Sequence, residues 1–407
     1  MTERSSKIII NTFIFYLLFL PIVQSFFCIN IKNIGIILFP LVLVFYSLID
    51  WKKFYITRFD ASLVLILLLL NVFDTLIDSR GTVFVVPSYM IITSLLFSKI
   101  VIPNLSIDYF LDRINISLLI ILFFLVLEFL IVSTIGSSIF YDNLTCHSDG
   151  VQGYRELHNA TSDIFLMEIP GLNSIMMGAQ TSSELAAVIS IWSIYKYETT
   201  EIRFYKFTII LSLLMLILSP SYTSIFLLTV GLTLYFLFKA HSKPKLNIYL
   251  VNFTPIVLVL FSYLIYVLLL IRYPDLSIFP QLLQGQLAGF NYMTIKELLF
   301  GAHQLTQVGL FKSTEFTLLT QVSIFGILGV TIFYGSIAYY MLLALTNTNA
   351  TGKKERLTTI FILIIIVIFL LGNVHYRVMF QSGVRELFLL FLAYIMFMSN
   401  NNCKNSN

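Results

Sequence analysis

Residues 316–346 read FTLLTQVSIFGILGVTIFYGSIAYYMLLALT, a run without a single Asp, Glu, Lys or Arg. A helix of about 20 apolar residues crosses the hydrocarbon core of a bilayer. This run is therefore too long for one upright span, and it is expected to tilt or to continue beyond the bilayer. Similar runs recur on both sides of it. Of all residues 58% are hydrophobic and 11% charged, and the mean hydropathy is +0.90; an ordinary soluble domain is about 25% charged. The fold class that follows is an all-α polytopic membrane protein, one transmembrane domain over residues 1–407. Twelve spans are expected, near 8–29, 34–49, 61–77, 83–102, 114–135, 176–195, 207–219, 221–238, 248–271, 316–346, 358–374 and 387–398. The first run outlasts a signal-peptide core and carries no small-residue cleavage pattern, so it is expected to remain as a span.

Loop cations set the expected orientation. With the N-terminus cytoplasmic, seventeen of the twenty-five Lys and Arg fall inside. Lys32, Arg80, Arg155, Arg272, Lys296, Lys312, Arg377 and Arg385 fall outside. That excess obeys the positive-inside rule. The net charge of +4 thus describes topology signals, and nucleic acid is not an expected partner. Cys28, Cys146 and Cys403 are too scattered for a metal site or a disulfide framework. No cofactor or metal is expected.

The inner loops WKKFYITR, KYETTEIRFYK, FKAHSKPK and GKKER are short, and no glycine-rich phosphate loop is present. They leave no room for an ATPase or nucleotide-sugar domain. The two long loops, 136–175 and 272–315, both face outside. Any chemistry is expected there, on a substrate that arrives already activated. The second loop, RYPDLSIFPQLLQGQLAGFNYMTIKELLFGAHQLTQVGLFKSTE, places Phe279, Leu282, Leu283, Leu287, Phe290, Leu298 and Leu299 at near-helical spacing. Such a helix suits the membrane interface.

Outer segments and two spans offer titratable groups. The first long loop holds Arg155 and His158 at helical spacing, a cationic wall for an anion or simply a solvated loop. The second holds Arg272, Lys296, His303, Lys312 and Glu315. Glu184 sits inside the sixth span, where an acid is costly unless it faces a cavity or a partner; a structural acid bonded to neighbouring helices is the plainer reading. Glu128 in the fifth span has the same two readings. LSPSYTSIF, around Pro220, is a tight outer turn. GNVHYRVMFQSGVRELF groups His375, Arg377 and Arg385 at the outer surface. Single arginines there are ordinary helix anchors. Taken with Arg155 and Arg272, they stand where a diphosphate head group would lie, and guanidinium binds phosphate bidentately.

In its order of parts the chain resembles the O-antigen polymerase and O-antigen ligase superfamily of bacterial envelope enzymes. The stretches that carry the resemblance are QTSSELAAVISIWSIY, LSPSYTSIFLLTVG, the closing GNVHYR…LFLLFLAYI and, most specifically, LLFGAHQLTQVGLFKSTEFTLLTQVSIFGILGV. Relatives in that superfamily carry a second arginine in the amphipathic loop, where this chain reads QGQLAGFNY. A pyrophosphate role for that loop therefore rests on Arg272 and Lys296.

The resemblance implies a lipid-linked glycosyltransferase-like (GT-C-like) bundle in the bacterial inner membrane with its site facing the periplasm. The implied reaction transfers a growing glycan from undecaprenyl diphosphate to the next lipid-linked repeat unit. Lipid-linked repeat units, membrane lipids, a chain-length regulator and a repeat-unit flippase are its implied partners. Glu315 and His375 are then the candidates for activating the hydroxyl. Arg155, Arg272, Arg377, Arg385, His303 and Glu184 would bind diphosphate and glycan. Two other classes share the layout: a ligase or other lipid-linked glycan transferase, and a twelve-helix transporter. No internal repeat of the kind common in transporters is visible between the two halves.

Overall fold

The computed structural model describes residues 2–27, 39–45, 56–77, 85–135, 162–164, 167–169, 179–218, 222–241, 287–301, 317–347, 352–375 and 383–400. The helices are α1 Glu3–Phe27, α2 Arg58–Ile77, α3 Val85–Leu96, α4 Ile107–Ile135, α5 Ala179–Thr200, α6 Phe204–Leu218, α7 Tyr222–His241, α8 Ile295–Phe300, α9 Thr317–Asn347, α10 Lys353–His375 and α11 Val384–Asn400. A π-helical turn, Phe97–Val101, and a 3-10 turn, Ile102–Asn104, extend α3. Pro103 in that second turn helps to end the helix. Apart from these, a two-stranded antiparallel hairpin, Ser162–Ile164 with Met167–Ile169, lies in the first long loop. It is the only departure from an all-helical fold among the described residues.

Four described stretches are long and apolar enough to cross a membrane: Val85–Asn104, Ile107–Leu127, Leu318–Asn347 and Lys354–Asn373. Phe204–Ile217 and Thr223–Lys239 are shorter apolar helices. The chain is thus a helical membrane protein. The ninth expected span, 248–271, lies outside the described residues. Helices α2 and α10 begin several residues before the expected spans, because their first residues, RFD and KKERLTT, are polar but helix-compatible.

Residues of α5, α10 and α11 form the centre. From Val384 to Met396 every side chain of α11 is buried, as expected of a helix apolar on all sides. Small residues let its neighbours approach closely. Ser183 shares a 2.5 Å hydrogen bond with Ser224 of α7, and Ser190 one of 2.8 Å with Ser212 of α6. A Cβ at Gly231 of α7 would stand 2.9 Å from Ile368 Cδ1 and 3.2 Å from Ile191 Cδ1, so glycine lets three helices meet there. By contrast α1, α2 and α6 turn Phe15, Leu65, Phe207 and Ile210 outward, a surface that suits lipid.

Helix α5 begins at the end of the bundle where α10 finishes; this is termed the upper end. Helices α7, α9 and α11 also begin there. Every described Lys and Arg except Lys296 and Arg385 lies toward the other, lower end. There Lys354 pairs with Asp108 at 2.8 Å, Lys196 with Asp112 at 2.9 Å and Lys239 with Glu198 at 2.5 Å. Hydrogen bonds to Glu198 and to Tyr235 hold the Lys239 ammonium above its ordinary pKa. These pairs are partly exposed, and each is worth at most about 1 kcal/mol. The buried pair of Lys99 with Asp60, 3.0 Å apart, is a different case. Asp60 also accepts from the Tyr340 hydroxyl at 2.5 Å and from the Thr57 amide at 3.0 Å.

This asymmetry makes the topology testable. In a chain whose own cysteines are replaced by serine, Ile295→Cys at the upper end is expected to react with an impermeant thiol reagent added outside intact cells. Glu201→Cys at the lower end is expected to react only after permeabilisation. The opposite pattern would invert the orientation.

Candidate functional site

Gly326 breaks α9. Its φ of 68° and ψ of 167° lie outside the helical region, and the run expected to tilt or to continue beyond the bilayer divides here. The cause is a second glycine. Gly301, with φ 97°, ends α8, and its backbone lies directly on the break. A Cβ on Gly301 would overlap the Ile324 carbonyl, and one on Gly326 the Leu299 carbonyl. Thus the LFG and GILG stretches, 25 residues apart from Gly301 to Gly326, meet backbone to backbone. Non-helical backbone at membrane depth is tolerated where protein or a wet cavity encloses it.

The expected interfacial helix of the second loop is divided as well. Residues 287–290 are helical, a turn follows, and Thr294 starts α8 afresh through a capping box with Glu297. Leu287, Tyr292, Ile295 and Leu299 remain exposed on this segment, which suits a membrane interface.

Around the break lies a layer of buried and half-buried polar groups. The Tyr334 hydroxyl, beyond the break, donates to Gln321 Oε1, before it, at 2.7 Å. Asn373 Nδ2 of α10 donates to the Tyr334 hydroxyl at 2.7 Å, and Gln321 Nε2 donates to the Asn373 carbonyl at 3.5 Å. These three side chains tie both halves of α9 to α10. Asn373 Oδ1 is left without a hydrogen bond. Glu184 of α5, 2% exposed, lies against Gly372, and among the described residues neither of its oxygens has a hydrogen-bond partner.

Arg385 lies at the same end but is not open. It is 3% exposed, its Nε donates to Glu386 Oε1 at 2.7 Å, its Nη2 reaches the same oxygen, and its guanidinium covers the Tyr89 ring at 5.3 Å. Glu386 also accepts the Gly383 amide at 2.6 Å, the N3-to-N-cap half of a capping box for α11. Of the other expected site residues, His375 closes α10 but its side chain lies outside the described residues. Arg155, Arg272, His303, Glu315 and Arg377 lie outside them too, as does the side chain of Glu128. Glu315 is two residues before α9, so His375 and Glu315 flank the polar layer in sequence. Reading the sequence missed Gln321, Tyr334, Gly372 and Asn373. Asn373 was within reach, since it precedes His375 in the GNVHYR stretch singled out for its charges.

A groove of about 490 Å³ lies at the lower end, lined by Tyr197, Glu198, Glu201, Arg203, Lys206 and Lys239. It is open, and its Glu198 and Lys239 already satisfy each other. Its size does not make it the better site; the upper layer has the buried, uncompensated groups. Among the described residues no cluster of His, Cys, Asp and Glu has the makings of a metal centre. Comparison with protein-family models, curated proteins and solved structures gives no significant match.

Proposed function

We propose that this protein is a lipid-linked repeat-unit polymerase of the bacterial inner membrane. It moves a growing O-antigen or similar surface glycan from undecaprenyl diphosphate onto a hydroxyl of the next lipid-linked unit at the periplasmic face. The observation that carries the reading is the seating of Gly301 on the Gly326 break, which joins the two halves of the most specific resemblance at one end of the bundle. The described cations gather at the opposite end, in keeping with chemistry on the outer side. Twelve spans in a GT-C-like bundle belong to the same reading, with Arg155, Arg272 and Arg377 taking the diphosphate, His303 the glycan, and Glu315 or His375 the hydroxyl proton; the buried Arg385 and Glu184 take no part in binding there. A chain-length regulator and a flippase would act beside it.

The broken α9 and the buried Glu184 favour a second reading, a transporter, since discontinuous helices and intramembrane acids mark substrate paths. Deleting the gene separates the readings. The polymerase reading expects lipid A core capped by a single repeat unit on a gel. Long unattached polymer on the carrier lipid would indicate a ligase. Loss of every repeat unit from the outer surface would indicate the transporter.

A further inference from the structure

The Glu184 carboxyl group is buried, and among the described residues neither of its oxygens has a donor. An ionised carboxylate held this way would forgo its hydration and gain nothing in return. The packing shows that this position is built rather than accidental. A Cβ on Gly372 would overlap Oε1, so α10 makes room for the carboxyl by having no side chain at that position. Further along the same helices, Gly231 of α7 packs against Ile368 and Ile191.

Among the described residues the charges around it do not supply a counterion. Arg385 and Glu386, on α11, neutralise each other. Helix α6 has no titratable side chain near its upper end. Glu128 of α4, Tyr222 of α7 and His375 of α10 have side chains outside the described residues. Lys196 of α5 itself lies twelve residues further down, paired with Asp112.

We propose that Glu184 is a proton-binding site. In the packed state it is a neutral carboxylic acid seated on Gly372, and loss of its proton drives the side chain out of that seat and loosens α5 from α10. The sign follows from linkage: the packed state holds the proton, so acid favours it and alkali weakens it. This role does not depend on which glycan, if any, the protein handles.

Infrared spectroscopy of the purified full-length protein tests it. Near neutral pH the wild type is expected to show a carboxylic acid C=O stretch, on the high-frequency side of the amide band, that Glu184→Gln lacks. That band is expected to fade as the pH is raised and to ignore sodium at constant pH. Carboxylate stretches instead of the acid band, in the difference between wild type and Glu184→Gln, would overturn the proposal. So would loss of the band on adding sodium, which would make the ligand a metal cation. A second comparison tests the seat independently: Gly372→Ala is expected to lower the yield of folded protein in the wild type but not in a Glu184→Ala background. Equal damage in both backgrounds, or none in either, would show that the carboxyl does not occupy that seat.

Discussion

Alanine in place of Gly301 or Gly326 is expected to cost more than any substitution on the lipid-facing surface. Both glycines have φ values that L side chains rarely adopt, 97° and 68°, and holding such a residue there costs on the order of 1–3 kcal/mol. The new Cβ would then meet a backbone carbonyl in each case, Ile324 for one and Leu299 for the other. A carbonyl cannot step aside as a flexible side chain can. The two strands of backbone must part, and the loop end leaves the helix break. The expected result is a lower melting temperature in detergent and, on the proposed polymerase reading, loss of long polymer. Gly335 provides the control: a Cβ there meets nothing within 4 Å, and alanine gains up to about 1 kcal/mol of helix propensity. If Gly326→Ala behaves like Gly335→Ala, the backbone contact does not exist.

Glu315→Gln is expected to lower the rate of polymerisation on the order of 10²-fold or more while leaving protein level unchanged, if Glu315 accepts the hydroxyl proton. Glutamine keeps the size and hydrogen bonding but not the basicity. Lysine is expected to replace Arg272 and Arg377 poorly, because one ammonium cannot present the two parallel donors that a phosphate accepts. Chain-length distribution on a gel, at matched expression, reads both effects. Wild-type polymer from Glu315→Gln together with an active Arg272→Lys would place the chemistry elsewhere.

The helices were legible in the sequence because the bilayer imposes a length, and apolar runs of that length announce themselves. The break in α9 was not. GILG reads as four more apolar residues, and nothing local says that Gly326 will leave the helix; the reason arrives from Gly301, in another segment. Arg385 was legible as a cation at a helix start, but not as a buried one. Neighbours at i and i+1 do not normally face each other on a helix, yet Arg385 and Glu386 meet at the first turn of α11, with Tyr89 covering the guanidinium. The polar layer is hidden for a similar reason: Gln321, Tyr334 and Asn373 are ordinary side chains whose meaning lies in meeting one another. Glu184 could be found from sequence alone because a charge amid apolar residues stands out.

The buried position of α11 bears on how the protein is made. This helix, packed against α3, α9 and α10, leaves the ribosome after every other described helix. Until it arrives, α3, α9 and α10 must stand in the membrane with the faces they will give to it turned toward lipid. For Leu and Phe that wait costs little, because acyl chains are as apolar as the helix that will replace them. Ser94 waits for a partner, since its hydroxyl will donate to the Leu389 carbonyl of the newcomer at 3.1 Å. Arg385 and Glu386 need not wait, because adjacent in the chain they enter already neutralised. Insertion of α11 is thus the event that turns a loose set of spans into a single body, and a nascent chain halted before it would present lipid-filled grooves to the machinery that removes unfinished membrane proteins.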